Sequence, residues 1–146
     1  MNYWNDEDIN KLEEASSFKD IAVVALDVQK RMGDNLVHVC GPISTGGVGN
    51  RDENIVIFKK TIKKLISQGW NVYDQTPFEI TIRRLRKKGV YPVDLLEDVY
   101  RPLFESGIIK ESFFIYGWES SRGSCWEHDV LKSAGIKITY LPKNFV

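Results

Sequence analysis

Apolar positions along the chain fall into two rhythms. Ile55, Phe58, Ile62, Leu65 and Ile66 recur at intervals of three and four, the spacing of one buried helix face, and Gly69 closes that run. Residues 6–32 also read as helix, broken near Ser16-Ser17, with Ile9, Leu12 and Ala15 before the break and Ile21, Val24, Leu26 and Val28 after it. Shorter apolar runs predict strands: Leu36-Val37-His38-Val39-Cys40, Trp70-Asn71-Val72-Tyr73, the run ending Phe113-Phe114-Ile115-Tyr116, and residues 136–141. Between them, residues 78–88 predict a helix with Arg83, Arg84, Arg86, Lys87 and Lys88 on its solvent side. A second helix follows Pro92 over residues 93–104, and another spans residues 124–133. Strand and helix alternate through the body, which predicts an α/β fold: a parallel sheet of about four to five strands with helices on both faces. Residues 1–34 are expected to form an N-terminal helical extension and residues 35–146 the α/β domain.

Composition narrows the class of function. The chain has 146 residues, enough for one core, and is 42% hydrophobic and 27% charged, so a folded protein is expected. Lys+Arg and Asp+Glu are both 20, a balance that gives no general attraction to nucleic acid polymers or anionic membranes. The first residues, Met1-Asn2-Tyr3-Trp4-Asn5-Asp6-Glu7-Asp8, lack the basic-then-apolar layout of a secretory signal, and no apolar run reaches membrane-spanning length. A cytoplasmic location is the expectation. Cys40 and Cys125 are far apart and form no metal signature, so free thiols are expected, with no metal and no cofactor.

In a parallel sheet of this kind, ligands bind at the carboxyl ends of strands where strand order reverses. The first and third strands are the natural flanks of that crevice. The loop after the first, residues 41–50, carries Gly41, Gly46, Gly47 and Gly49, backbone able to approach a ligand closely, though it is neither a Walker A loop nor a dinucleotide fingerprint. A flexible surface loop would look the same. The loop after the third strand offers the hydroxyls of Ser120, Ser121 and Ser124, the cation of Arg122, close backbone approach at Gly117 and Gly123, and a helix N-terminus suited to anions. Trp118 is placed to stack on a base and Trp126 to pack in the core. Glu127 has two readings: a catalytic carboxylate, or the partner of Ser124 in a capping box. Tyr73, Gln75 and Glu79 follow the second strand and are in place to line the crevice, with Phe78 as a stacking wall. His38 reads as a packed strand residue and His128 as a solvated one.

Cys40-Gly41-Pro42-Ile43-Ser44, Gly69-Trp70-Asn71-Val72-Tyr73, and above all Gly117-Trp118-Glu119-Ser120-Ser121-Arg122-Gly123-Ser124 with Glu127 carry a resemblance. Over residues 37–141 the chain resembles the nucleoside 2-deoxyribosyltransferase-like superfamily, and within it the small DUF4406-type proteins. The resemblance implies a flavodoxin-like or Rossmann-like sheet binding a nucleoside or nucleotide, with Glu127 attacking C1′ of the sugar. It also implies a second carboxylate that orients the sugar or helps the base depart, for which Asp98 or Asp94 is the candidate. The substrate would be held by Gly41, Pro42, Ile43, Ser44, Gly46 and Gly47 from the first loop and by Trp118, Glu119, Ser121, Arg122, Gly123 and Ser124 from the second. The expected activity is that of an N-glycosidase or a deoxyribosyltransferase, in a homodimer or larger homo-oligomer. Two other functions fit the same sequence: a non-catalytic nucleotide sensor or sequestering protein, and an assembly protein whose N-terminal helices bind a partner.

Overall fold

Local signals start and stop the elements where side chains can satisfy backbone. Helix α1 (Asp6–Glu14) begins at Asn5, whose side chain accepts from Asp8 N while the Asp8 carboxylate accepts from Asn5 N, and Asp6, Glu7 and Asp8 all sit at the positive end of the helix dipole. Ser17 then caps α2 (Phe18–Arg31) by accepting from Asp20 N, so the break predicted near Ser16-Ser17 is a true end and restart. The chain continues through β1 (Leu36–Cys40), α3 (Arg51–Ser67), β2 (Asn71–Val72) and α4 (Phe78–Lys87). A π-helical turn, Leu96–Tyr100, runs directly into α5 (Arg101–Glu105), followed by β3 (Ile109–Phe114), α6 (Arg122–Ser133) and β4 (Lys137–Tyr140). These elements are those of a computed structural model that describes residues 3–89 and 95–146. The start of the helix predicted over residues 93–104 lies outside the described residues.

All four strands are parallel, in the order β2-β1-β3-β4. The chain moves outward from β1 to β2, then crosses back to β3 on the other side of β1. Because crossovers between parallel strands are right-handed as a rule, such a reversal sends the connecting helices to opposite faces. Alternate β1 side chains record this. Val37 and Val39 pack with Phe58, Ile62 and Leu65 of α3, whereas Leu36 and Cys40 belong to a larger cluster with α2, α4, α5 and α6. Both faces are covered, so β1 is buried at every position, as its continuous apolar run predicts. Among the described residues no helix is long and apolar enough to cross a membrane.

The two N-terminal helices share the larger core through Leu12, Phe18, Ile21, Val24, Ala25 and Val28. Polar ties reinforce the packing: Tyr73 OH donates to Ala25 O (2.9 Å), Thr81 Oγ1 to Leu12 O (3.0 Å), Gln29 Nε2 to Leu103 O (3.1 Å) and Arg84 Nη2 to Ala15 O (2.6 Å). Arg84 is therefore a clamp on the end of α1 rather than part of a solvated face. Tyr73 and Phe78, expected at the crevice, are instead fully buried beneath it.

His38 sits in this core with its ring stacked on Tyr73 (centroids 4.7 Å apart, 8° between planes) and Phe104 against its face, and neither ring nitrogen has a hydrogen-bond partner among the described residues. Burial pushes its pKa down to about 3. Since the unfolded chain takes up a proton near pH 6.5 and the folded chain does not, stability falls as pH drops from about 6.5 toward 3. Between pH 7 and pH 4 this should remove about 3 kcal/mol. Urea unfolding of His38→Phe, compared with the parent across that range, should show that much less acid sensitivity.

Candidate functional site

Because strand order reverses between β1 and β3, the loops leaving their carboxyl ends diverge and leave a crevice. A cavity of about 390 Å3 lies there, large enough for a nucleoside-sized ligand. Gly41, Ile43 and Ser44 line it from the first loop, and Ser121, Arg122, Gly123, Ser124 and Glu127 from the second loop and the first turns of α6. The convergence expected from topology is therefore present, and eight predicted positions meet at one place.

Of the other positions expected to hold the substrate or to help catalysis, none lines this cavity. Pro42 and Gly47 line a separate cavity of about 350 Å3 on the α3 side of the same loop. Trp118 lies outside both cavities, stacked on His128 (centroids 4.3 Å apart, 12° between planes), whose Nε2 is 2.6 Å from Tyr140 OH. Trp118 also packs against the buried ring of Phe114 (centroids 5.3 Å apart, 69° between planes), so its indole belongs to the packing of β3, α6 and β4. Glu119 is exposed. Asp98 is half-buried on the π-helical turn and is absent from the cavity lining, although Leu96 and Tyr100 on either side of it do line the cavity. Asp94 lies outside the described residues, as does the side chain of Glu79.

The glycines of the first loop serve a different purpose from the one their sequence suggests. Gly46 has φ +68°, and a Cβ there would lie 2.3 Å from the Ser120 carbonyl oxygen; at Gly47 (φ +61°) it would lie 2.4 Å from Asn54 Oδ1. Gly46 brings the first loop against the second, and Gly47 brings it against α3. Gly47 N donates to Ser120 Oγ (2.8 Å), Thr45 Oγ1 donates to Ser121 Oγ (3.3 Å), and Arg122 N donates to Thr45 Oγ1 (3.3 Å). Buried Asn54 completes the latch: its Nδ2 donates to Ile43 O and Gly46 O, and its Oδ1 accepts from Val48 N.

Helix α6 starts earlier than the sequence suggests. Ser121 is its N-cap and accepts from Ser124 N, which places Ser124 inside the first turn and removes the Ser124–Glu127 capping box. Glu127 consequently does no capping. It is 7% exposed, on the cavity wall, and burial pushes its pKa up to about 8, offset in part by a hydrogen bond from the Cys40 thiol. At pH 7 roughly one molecule in ten carries the charge. The Cys40 thiol, fully buried and 3.3 Å from Ser112 Oγ, has its own pKa raised by burial and by the neighbouring carboxylate, so it stays a donor.

The lining also contains three arginines. Arg51 Nη1 and Arg86 Nη1 both donate to Ser44 Oγ, at 3.0 and 2.9 Å, and Arg122 stands at the first position of α6. Arg86 was expected on a solvated face. Its placement follows from helical spacing, because it lies four residues after Ile82, which also lines the cavity. Arg51 opens α3 immediately after the glycine loop, and only the loop's path brings it back over Ser44. Gln75 does reach the cavity, as its position after β2 suggests. Among the described residues no group of three His, Cys, Asp or Glu side chains is placed to hold a metal ion.

The site thus offers one buried carboxyl, a cationic wall and several hydroxyls around a nucleoside-sized space. No protein-family model, curated protein or solved structure matches the chain.

Proposed function

We propose that the protein is an N-glycosidase acting on a nucleoside or nucleoside 5′-monophosphate, or a deoxyribosyltransferase of the same chemistry, with Glu127 as nucleophile. The observation that carries this reading is the buried Glu127 carboxyl on the wall of the switch-point cavity, whose lining also contains Arg51, Arg86 and Arg122. In the proposed reaction a Glu127 oxygen attacks C1′, the C1′–N bond breaks, and the base departs with the bonding pair and takes a proton from water. Positive charge that builds at C1′ in the transition state lies beside the carboxylate, where a low-dielectric wall makes the attraction strong. Water then attacks C1′ of the glycosyl ester and restores the carboxylate, or a second base accepts the sugar. The arginines suit an anionic group at the far end of the ligand.

A second reading has its own support: at pH 7 most of Glu127 is protonated, and Asp98 does not join it, so the pocket also suits a protein that binds a nucleotide without turning it over. One assay separates the two. Incubation with a panel of nucleosides and 5′-monophosphates at pH 6 to 9 should release free base, at a rate that climbs about tenfold per pH unit and levels off near pH 8 as the nucleophile ionises. Recovery of every ligand intact across that range would remove the enzyme reading and leave the binder. Self-association belongs to the same proposal: Val23 on α2 and Ile80 on the neighbouring α4 are 63% and 81% exposed, apolar surface that a second copy would cover.

A further inference from the structure

Strand β2 leaves the sheet early, and one side chain takes its place. The last backbone bond on that edge of β1 runs from Tyr73 N to Val37 O (2.9 Å). The next β1 carbonyl facing the same way, Val39 O, accepts instead from Gln75 Nε2 (3.2 Å). A carbonyl oxygen can only accept, so this bond fixes which end of the amide is which: the NH2 turns to β1 and Oε1 turns away from it. Gln75 is 3% exposed and lines the cavity, and its Oε1 is buried with no hydrogen-bond partner among the described residues. Ser124 Oγ, on the opposite loop, is in the same condition at 1% exposure. A buried acceptor left without a donor has lost its hydration with nothing in return, so a ligand donor that reaches it is favoured.

Its position relative to the carboxyl is set by β1. Val39 holds Gln75, and the thiol of the next residue, Cys40, lies near enough to Glu127 for each to shift the other's ionisation. The two side chains are therefore carried on adjacent residues of one strand, at the floor of one cavity. We infer that Gln75 is a specificity-determining residue: its Oε1 accepts a hydrogen bond from a neutral donor on the ligand, a sugar hydroxyl or a base amino group, and the site discriminates against ligands that lack that donor. A neutral donor suits a lining that also carries the guanidinium of Arg122. Ser124 Oγ, able both to donate and to accept, supplies the second contact. This inference rests on the nucleotide reading of the cavity.

Two ligand pairs test it. Adenosine and 2′-deoxyadenosine 5′-monophosphates differ by one sugar hydroxyl, and guanosine and inosine 5′-monophosphates differ by one base amino group. Calorimetric titration of the protein should show one pair separated by about 10- to 100-fold in favour of the member bearing the donor, and the pair that separates identifies the donor. In Gln75→Met the separation should collapse to within about threefold. Since that variant also releases Val39 O, the unaltered protein supplies a second readout: the side-chain carbonyl 13C resonance of Gln75 should move with the preferred nucleotide and stay in place with its partner. Binding without preference in either pair, or a preference undiminished in Gln75→Met, overturns the inference while leaving the nucleotide site intact. Failure of all four nucleotides to bind overturns both. Preference without release of base supports Gln75 as the reader and removes only the hydrolysis.

Discussion

Replacing Glu127 with glutamine is expected to lower base release about 10³-fold or more and, in the same molecule, to raise stability above neutral pH. The rate falls because an amide cannot form the glycosyl ester. Stability rises for a separate reason. The folded protein holds the Glu127 proton up to about pH 8, whereas in the unfolded chain the group ionises near 4.5. Between those values the folded state binds a proton that the unfolded state has released, so stability falls as pH rises through the window. The loss amounts to about 3 kcal/mol by pH 7. A neutral glutamine, of nearly the same shape and still able to accept from the Cys40 thiol, escapes it. Urea unfolding of the two proteins should therefore agree near pH 4.5 and diverge steadily toward pH 8, with the variant ahead. A variant that keeps its activity, or one that is less stable at pH 8 than the parent, would contradict the role assigned to Glu127. Opposite signs for activity and stability are what a residue held in an unfavourable place for its chemistry should show.

The second large effect belongs to the latch between the loops. Gly46→Ala should destabilise the protein by about 4 kcal/mol, since the new Cβ meets the Ser120 backbone at 2.3 Å and the residue must also keep a positive φ. The clash is with the Ser120 backbone as well as its Oγ, so the loops must part, and Gly47 N loses its bond to Ser120 Oγ with them. Gly49→Ala is the control. Its φ is +79° but a Cβ there meets nothing within 4 Å, so only the backbone strain of about 1–2 kcal/mol remains. Equal unfolding midpoints for the two variants would show that the loops are not locked together; a gap of 2 kcal/mol or more in favour of Gly49→Ala is the expected result.

Much of the architecture was legible in local rhythm. The alternation of short apolar runs with three-and-four spacing predicts the parallel sheet, and the placement of its two odd loops at one crevice follows from topology alone, before any side chain is located. What the rhythm cannot carry is the direction of side chains in loops. Trp118 and Arg122 sit four residues apart in the same motif, yet one stacks on His128 and the other lines the cavity, because the outcome depends on Tyr140 and Thr45 in distant parts of the chain. Gly46 illustrates the same limit. Its composition signal, a permissive backbone, is correct, but only the approach of Ser120 reveals what the permission is for. Arg86 was readable in principle from its register with Ile82, and was obscured by the four other basic residues around it. Gln75 stands out only once β2 is seen to stop short and leave Val39 O to a side chain.

The bonds that tie the first two helices to the body also order events in time. Leu12 O waits for Thr81 and Gln29 waits for Leu103, separations of 69 and 74 residues. During synthesis at about 5–20 residues per second, α1 and α2 precede those partners by several seconds. Through that interval Phe18, Ile21, Val24 and Val28 have no sheet to cover, and the nascent chain presents an apolar helical stripe to whatever surrounds the ribosome exit. The same closure over long sequence distances slows the final docking step, so the two helices that are made before the sheet are secured only after it.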